Sequence, residues 1–298
     1  MFPHLFFENI TIDDISHVFN KNIEVSVLRL DKLHPVISGN KWFKLRYYID
    51  EAKRSGKKNV VTFGGAWSNH IVAIAAACKI NELNSIGIIR GEEPAMFSDT
   101  LINAKEWGMQ LVFISREEYK QKTLPAEFLS GEYYIINEGG YGITGAKGAA
   151  TILDHCNKDF THYCCAAGTG TMMAGLINSS SADKRIVGIS VMKNNTGLEE
   201  MIKELLAKNS NSTTPQWDLL HDYHFGGYAK YNASLIAFMN DFYQKTQIPS
   251  DFVYTAKLFY AINDLLNKKF FPDGSKMLVI HSGGLQGNLS FPKGTLIF

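Results

Sequence analysis

NVVTFGGAWSNHIVAIAAACKI, residues 59–80, reads as three pieces in a fixed order. Residues 59–63 are a compact β-branched run suited to a buried strand, residues 64–70 (GGAWSNH) form a glycine turn, and IVAIAAACKI is strongly helical. The unit then repeats. Residues 85–90 (SIGIIR) read as a strand, 99–107 as a helix ending at Gly108, and 110–115 (QLVFIS) as another strand. Alternation at this spacing requires crossover connections, so the fold class is α/β, with mostly parallel sheet covered by helices on both faces.

Upstream, residues 23–30 (IEVSVLRL) alternate apolar and polar and predict a strand closed by residues 31–35. Ser38-Gly39-Asn40-Lys41 follows, opening a helix that extends to about Arg54. Gly39 and Asn40 tolerate left-handed backbone angles, so the chain can turn sharply and deliver Lys41 into a cleft, where an amine could form an imine. A solvated lysine at a helix start is the alternative.

Downstream, residues 133–137 predict a strand and 138–148 a glycine-dense loop, taken as the return to a second lobe. The apolar strand HYCCAA ends in Gly168-Thr169-Gly170-Thr171, a helix spans 172–178, and a strand spans 185–192. An amphipathic helix over 196–207 and a polar surface loop over 209–216 come next. Helices around 234–243 and 256–267, a strand at 277–281 and a closing loop at 282–288 complete the chain. This order divides it into a large domain, residues 1–40 with 139–298, and a small domain, residues 41–138.

At 298 residues there is length for two cores, since about 100 to 200 residues per domain is usual. The apolar fraction is 45% and the charged fraction 20%, and a formal charge of +1 gives no electrostatic case for nucleic acid or an anionic membrane. The four cysteines lack CxxC spacing and predict reduced core residues. No run of about 18 apolar residues occurs and the N-terminus has no basic leader, so a cytoplasmic, non-membrane protein is expected.

Glycines and hydroxyls between a buried strand and a helix offer unpaired N–H groups to an anion. Gly168 to Thr171 therefore suits a phosphate monoester. A dinucleotide loop is the rival, but Gly175 falls two places late for G-x-G-x-x-G and no acidic residue follows the next strand. The turn at 64–70 has the same grammar and suits a carboxylate, although Ser68 or Asn69 could be a helix cap and His70 is as readily packed as catalytic. His221 and His224 stand three apart without a third ligand, so no metal is expected. His281 reads as a packing residue, and Lys147 as a distant competitor to Lys41.

Taken together, Gly39-Asn40-Lys41, the GGxxSNH turn, the glycine–threonine loop, Tyr228 after two glycines, Val253-Tyr254-Thr255 and His281-Ser282-Gly283-Gly284 resemble a known family. It is the 1-aminocyclopropane-1-carboxylate (ACC) deaminase and D-cysteine desulfhydrase family of pyridoxal-phosphate enzymes, of the two-lobed tryptophan synthase β-like fold (fold type II). The resemblance spans about Val25 to Asn288. It implies that Lys41 carries the cofactor as an imine and moves the α-proton. It implies that Asn69 bonds the ring hydroxyl, that Gly168, Thr169, Gly170 and Thr171 hold the phosphate, and that Ser282 faces the pyridine nitrogen. Ser68, Asn69 and His70 would contact substrate, and Tyr228 and Tyr254 would polarise it or exchange protons.

A small amino acid is the implied partner, and a homodimer the implied assembly. Several positions depart from the deaminase pattern. Thr255 replaces a glutamate, as in the desulfhydrase pattern, Phe43 replaces a basic residue, and Trp67 replaces a glutamine. Elimination on a β-substituted amino acid such as D-cysteine is therefore the first expectation and cyclopropane ring opening the second. A nicotinamide-dependent oxidoreductase and a non-catalytic amino-acid-binding protein are the remaining alternatives.

Overall fold

A computed structural model describes residues 5–19, 22–129, 131–206 and 214–298. The chain opens with β1 (Ile12–Asp14) and β2 (Glu24–Arg29), and α1 (Asn40–Arg54) leads into β3 (Asn59–Gly64), α2 (Asn69–Ile80), β4 (Asn84–Arg90), α3 (Asp99–Glu106), β5 (Gln110–Ile114), α4 (Arg116–Lys120) and β6 (Tyr133–Ile136). It continues through α5 (Ile143–Ala150), β7 (His162–Ala167), α6 (Thr171–Ser179), β8 (Arg185–Ser190), α7 (Leu198–Glu204), β9 (Gln216–Leu220), α8 (Ala233–Thr246), α9 (Thr255–Asn267) and β10 (Lys276–His281).

Two sheets result. One has the order β1-β2-β10-β7-β8-β9, parallel except for the antiparallel edge strand β1, and the other has the order β5-β4-β3-β6, parallel throughout. Side chains alternate between the two faces of the larger sheet: Cys164, Ala166, Val187, Ile189, Met277 and Val279 enter one core, while Cys165, Ala167, Ile186, Leu278 and Ile280 enter the other. The smaller sheet is likewise covered on both faces, with Val60 and Ile89 on one side and Val61, Phe63 and Ile88 on the other. All four cysteines are free, and no helix among the described residues is long and apolar enough to cross a membrane.

The structure departs from the sequence expectations in four places. The glycine-dense stretch 138–148 is not all loop, because α5 begins at Ile143. Its glycines serve close packing: a Cβ on Gly148 would stand 2.0 Å from the Phe43 carbonyl oxygen of α1, and one on Gly175 of α6 would stand 2.6 Å from Ala149. The expected helix over 196–207 is only α7, and Ala207 with most of the 209–216 loop lies outside the described residues. The short edge strands β1 and β9 were not anticipated. Finally, the polar positions of β2 after the exposed Glu24 are not solvated: Ser26 and Arg29 are buried, with the Arg29 guanidinium 2.9 Å from Asp13 and 2.7 Å from Asp31.

Candidate active site

Parallel strands direct their carboxyl ends at one edge of a sheet, where following loops and helix starts can hold a ligand. Here the carboxyl ends of both sheets converge on one cavity of about 630 Å³. β3, β4 and β6 contribute the 64–70 turn, Arg90 and Glu138 from one side. β7, β8 and β10 contribute the 168–171 loop, Met192 and Ser282 from the other. Lys41, Ser68, Asn69, His70, Gly168, Thr169, Gly170, Thr171, Tyr228, Tyr254 and Ser282 all line it.

Lys41 is the second residue of α1, and the turn before it is fixed by close backbone contact. Gly39 has φ +66°, and a Cβ there would lie 1.8 Å from the Ser282 carbonyl oxygen. The Asn40 amide donates to that same oxygen at 3.2 Å. This junction ties the start of α1 to the end of β10. The Lys41 amine donates to Asn40 Oδ1 at 2.9 Å and lies 5.7 Å from the centroid of the Tyr254 ring. Desolvation lowers its pKa from 10.5 to about 8, against the opposing pull of the Asp251 carboxylate.

Across the cavity, Ser68 occupies the N-cap position of α2, but its side chain makes no capping bond. The commoner structural role for a serine at that place is therefore not used. Asn69 and His70 are buried, and Asn69 Oδ1 and His70 Nδ1 have no hydrogen-bond partner. His70 Nε2 is 2.9 Å from Thr62 Oγ1. Desolvation first, then Lys44 and Lys41, hold the imidazole far below its usual pKa, so it is neutral.

Gly170 caps α6 with a left-handed backbone (φ 75°), leaving the first-turn amides without a side-chain acceptor. The hydroxyls of Thr169 and Thr171 are 2.9 Å apart. A Cβ on Gly170 would meet Ile202 at 2.5 Å, so only glycine fits. A compact anion with several acceptor oxygens matches this loop.

Tyr228 and Tyr254 meet edge to face, with centroids 6.1 Å apart and an interplanar angle of 71°. Burial raises both phenol pKa values, Tyr254's strongly, which keeps them protonated as donors. Three further residues organise the cavity's walls, and sequence reasoning missed them. Asp251, fully buried, accepts from the amides of Val253, Tyr254 and Thr255 at 3.0, 3.0 and 2.9 Å and from Thr255 Oγ1 at 2.8 Å. Lys257, also fully buried, donates to the carbonyls of His224 and Gly227 at 2.8 Å each and to that of Val191 at 3.4 Å. It thereby holds the turn that presents Tyr228. Lys44, one turn after Lys41, donates to the Gly139 carbonyl at 2.6 Å. Gly139 in turn packs on Thr169, where an added Cβ would be 2.8 Å from its methyl group. A second amine thus flanks the glycine–threonine loop. The i, i+3 spacing of Lys41 and Lys44 was the available signal for it.

Thr255 does not line the cavity; its hydroxyl is committed to Asp251. His221 is paired with Glu199 at 2.9 Å, His224 accepts the Gly226 amide, and no metal-holding cluster occurs among the described residues. His281 is fully buried, with Nε2 2.7 Å from the Pro249 carbonyl. Lys147 is exposed on α5, outside the cavity.

An amine whose pKa is held near 8 is suited to attack a carbonyl carbon, and the facing loop suits a phosphate. The class is therefore that of enzymes working through a phosphorylated aldehyde. The buried, unpartnered Asn69 Oδ1 fits the ring hydroxyl such a molecule would bring. A sequence model of the pyridoxal-phosphate dependent enzymes matches residues 12–283, and the chain belongs to that family; its cofactor is pyridoxal phosphate.

Within the family it stands with the ACC deaminase and D-cysteine desulfhydrase group. It is 30% identical to a putative 1-aminocyclopropane-1-carboxylate deaminase of Pyrococcus abyssi, over 89% of this chain and 86% of that one. It is 27% identical to the bifunctional D-cysteine desulfhydrase/1-aminocyclopropane-1-carboxylate deaminase, mitochondrial, of Arabidopsis thaliana, over 89% of this chain and 73% of the relative. The crystal structure of an ACC deaminase homologue superposes with a TM-score of 0.80 at 28% identity, covering 96% of this chain and 93% of that one.

Proposed function

We propose that this enzyme carries out elimination on a small β-substituted amino acid, with D-cysteine the first choice, releasing ammonia and a 2-oxo acid. The observation that carries the reading is the Lys41 amine, lowered to about 8 and facing the glycine–threonine loop in one cavity. Pyridoxal phosphate, when bound, supplies the aldehyde that captures amines and the ring that accepts electrons from the α-carbon. Thr169 and Thr171 would hold its phosphate with the α6 amides, and the Lys44 amine, bonded to the Gly139 carbonyl, stands beside that loop with its pKa pushed well down by burial and by Lys41. Asn69 bonds the ring hydroxyl. Ser282, which lines the same cavity, would meet the ring nitrogen with a neutral hydroxyl, which would moderate electron withdrawal and favour elimination over transamination.

On the substrate side, the 64–70 turn and the Ser68 hydroxyl receive the α-carboxylate, with His70 behind them. Lys41 Nζ takes the α-proton, and the phenols of Tyr228 and Tyr254 donate to the departing group. Thr255 acts through Asp251, which fixes the backbone at Tyr254, so its bearing on substrate choice is indirect. The same reading divides the chain into a small lobe, 41–138, and a large lobe, 1–40 with 139–298. Its support is that Leu45, Tyr48, Ile49 and Ala52 of α1 pack with the core of the smaller sheet.

Cyclopropane ring opening is the second reading, favoured by the name of the Pyrococcus relative. Ammonia and 2-oxo acid release across D-cysteine, L-cysteine, D-serine and ACC separates the two. Release from D-cysteine is expected, release from ACC alone would favour the second reading, and release from none would sink both.

A further inference from the structure

Arg90 ends β4, and β4 runs parallel to β3 with Ile89 opposite Gly64, so Arg90 leaves the sheet beside the 64–70 turn. Its side chain lines the catalytic cavity. Among the described residues its guanidinium meets no carboxylate or carbonyl; its contact is the Tyr119 ring, 5.9 Å away. The Lys122 amine sits over the same ring at 3.9 Å and is itself paired with Glu138 at 2.5 Å, so the carboxylate that lines the cavity here is already matched. Outward from Arg90, a second hollow of about 480 Å³ is lined by Arg90, Arg116, Tyr119, Lys120 and Lys122 and by no acidic residue. The basic hollow and the reaction site therefore share Arg90 as a common wall.

We propose that Arg90 is a second anion subsite of the cavity, reading an acidic group on the substrate's side chain while the 64–70 turn holds the α-carboxylate. This rests on the amino-acid elimination reading above. It extends the substrate class beyond D-cysteine to amino acids whose β-substituent is an anionic leaving group, a phosphate or a sulfonate, while a side-chain carboxylate would be bound there without being eliminated. A guanidinium presents paired N–H donors that match such groups in bidentate fashion. With O-phosphoserine the balance is simple. The α-proton goes to Lys41 Nζ, the Cβ–O bond breaks, phosphate leaves with the bonding pair beside Arg90, and water releases ammonia and pyruvate from the remaining unsaturated amine.

The test uses the cofactor-loaded protein and follows its visible absorption while amino acids are titrated in, which gives Kd with or without turnover. The matched pairs are alanine against aspartate and serine against O-phosphoserine, in both enantiomers. The acidic member of the preferred enantiomer should bind about tenfold or more tightly than its neutral partner. In Arg90→Gln that ratio should fall to near unity, and Arg90→Lys should keep part of it. A ratio near unity in the native protein, or a ratio preserved in Arg90→Gln, overturns the proposal. Equal weakening of both members falls under the second outcome and would assign Arg90 to the α-carboxylate. A protein that takes up no cofactor would instead refute the reading on which the subsite depends, and the subsite with it.

Discussion

Lys41 is reactive only as the neutral amine, and its pKa of about 8 leaves about a tenth of it neutral at pH 7, where an ordinary lysine leaves well under a thousandth. Cofactor uptake by stripped protein should therefore quicken about tenfold per pH unit below 8 and level off above it. Stopped-flow absorbance measures this; a rate still climbing at pH 10 would mean the amine is solvated. Lys257 makes a different kind of prediction. Lys257→Met strands three carbonyls and should cost about 1–3 kcal/mol in denaturant unfolding, with a fall in kcat/KM through a loosened Tyr228. Unchanged kinetics at normal stability would separate Lys257 from the site. The sequence displayed Lys41, Asn69 and Ser282 because each sits in a short run with its own glycines. It hid Lys257 and Lys44, whose partners are the carbonyls of residues 191, 224, 227 and 139, far off in the chain, and it hid Asp251, whose partners at 253–255 are local but whose full burial only the fold reveals.

Among elements, the inner strands and most helices were legible because a buried parallel strand is a continuous apolar run, and glycines stand at the exits of β3, β4, β7 and β10. The helix α5 was not, because Gly145 and Gly148 look like loop residues until the neighbouring helix is known. Packing against α1 requires Gly148, and the close approach of the Gly140 carbonyl requires Gly145. The junction of α1 and β10 carries the most demanding requirement. Gly39→Ala would push a methyl group into the Ser282 carbonyl and force a positive φ on alanine. A loss of about 2 kcal/mol or more is expected by chemical denaturation, together with weaker cofactor binding read by equilibrium dialysis. A variant as stable and as tightly loaded as the parent would contradict this geometry.

At the scale of the molecule, the two sheets were predictable from alternation, but their meeting at carboxyl ends around one cavity was reached from the sequence only through family resemblance. Because both sheets line that cavity, a bound cofactor links them. Loaded protein should melt several degrees above stripped protein in calorimetry, and the gain should shrink in Lys41→Ala, whose turnover and visible absorbance should also vanish. Equal melting temperatures would mean that the cofactor does not bridge the sheets.

All of these expectations meet at one nitrogen. Reducing the loaded protein with borohydride and mapping its peptides by mass spectrometry locates the attachment directly. The account predicts a pyridoxyl adduct on Lys41 and none on Lys44 or Lys147; an adduct on another lysine, or on none, would contradict it.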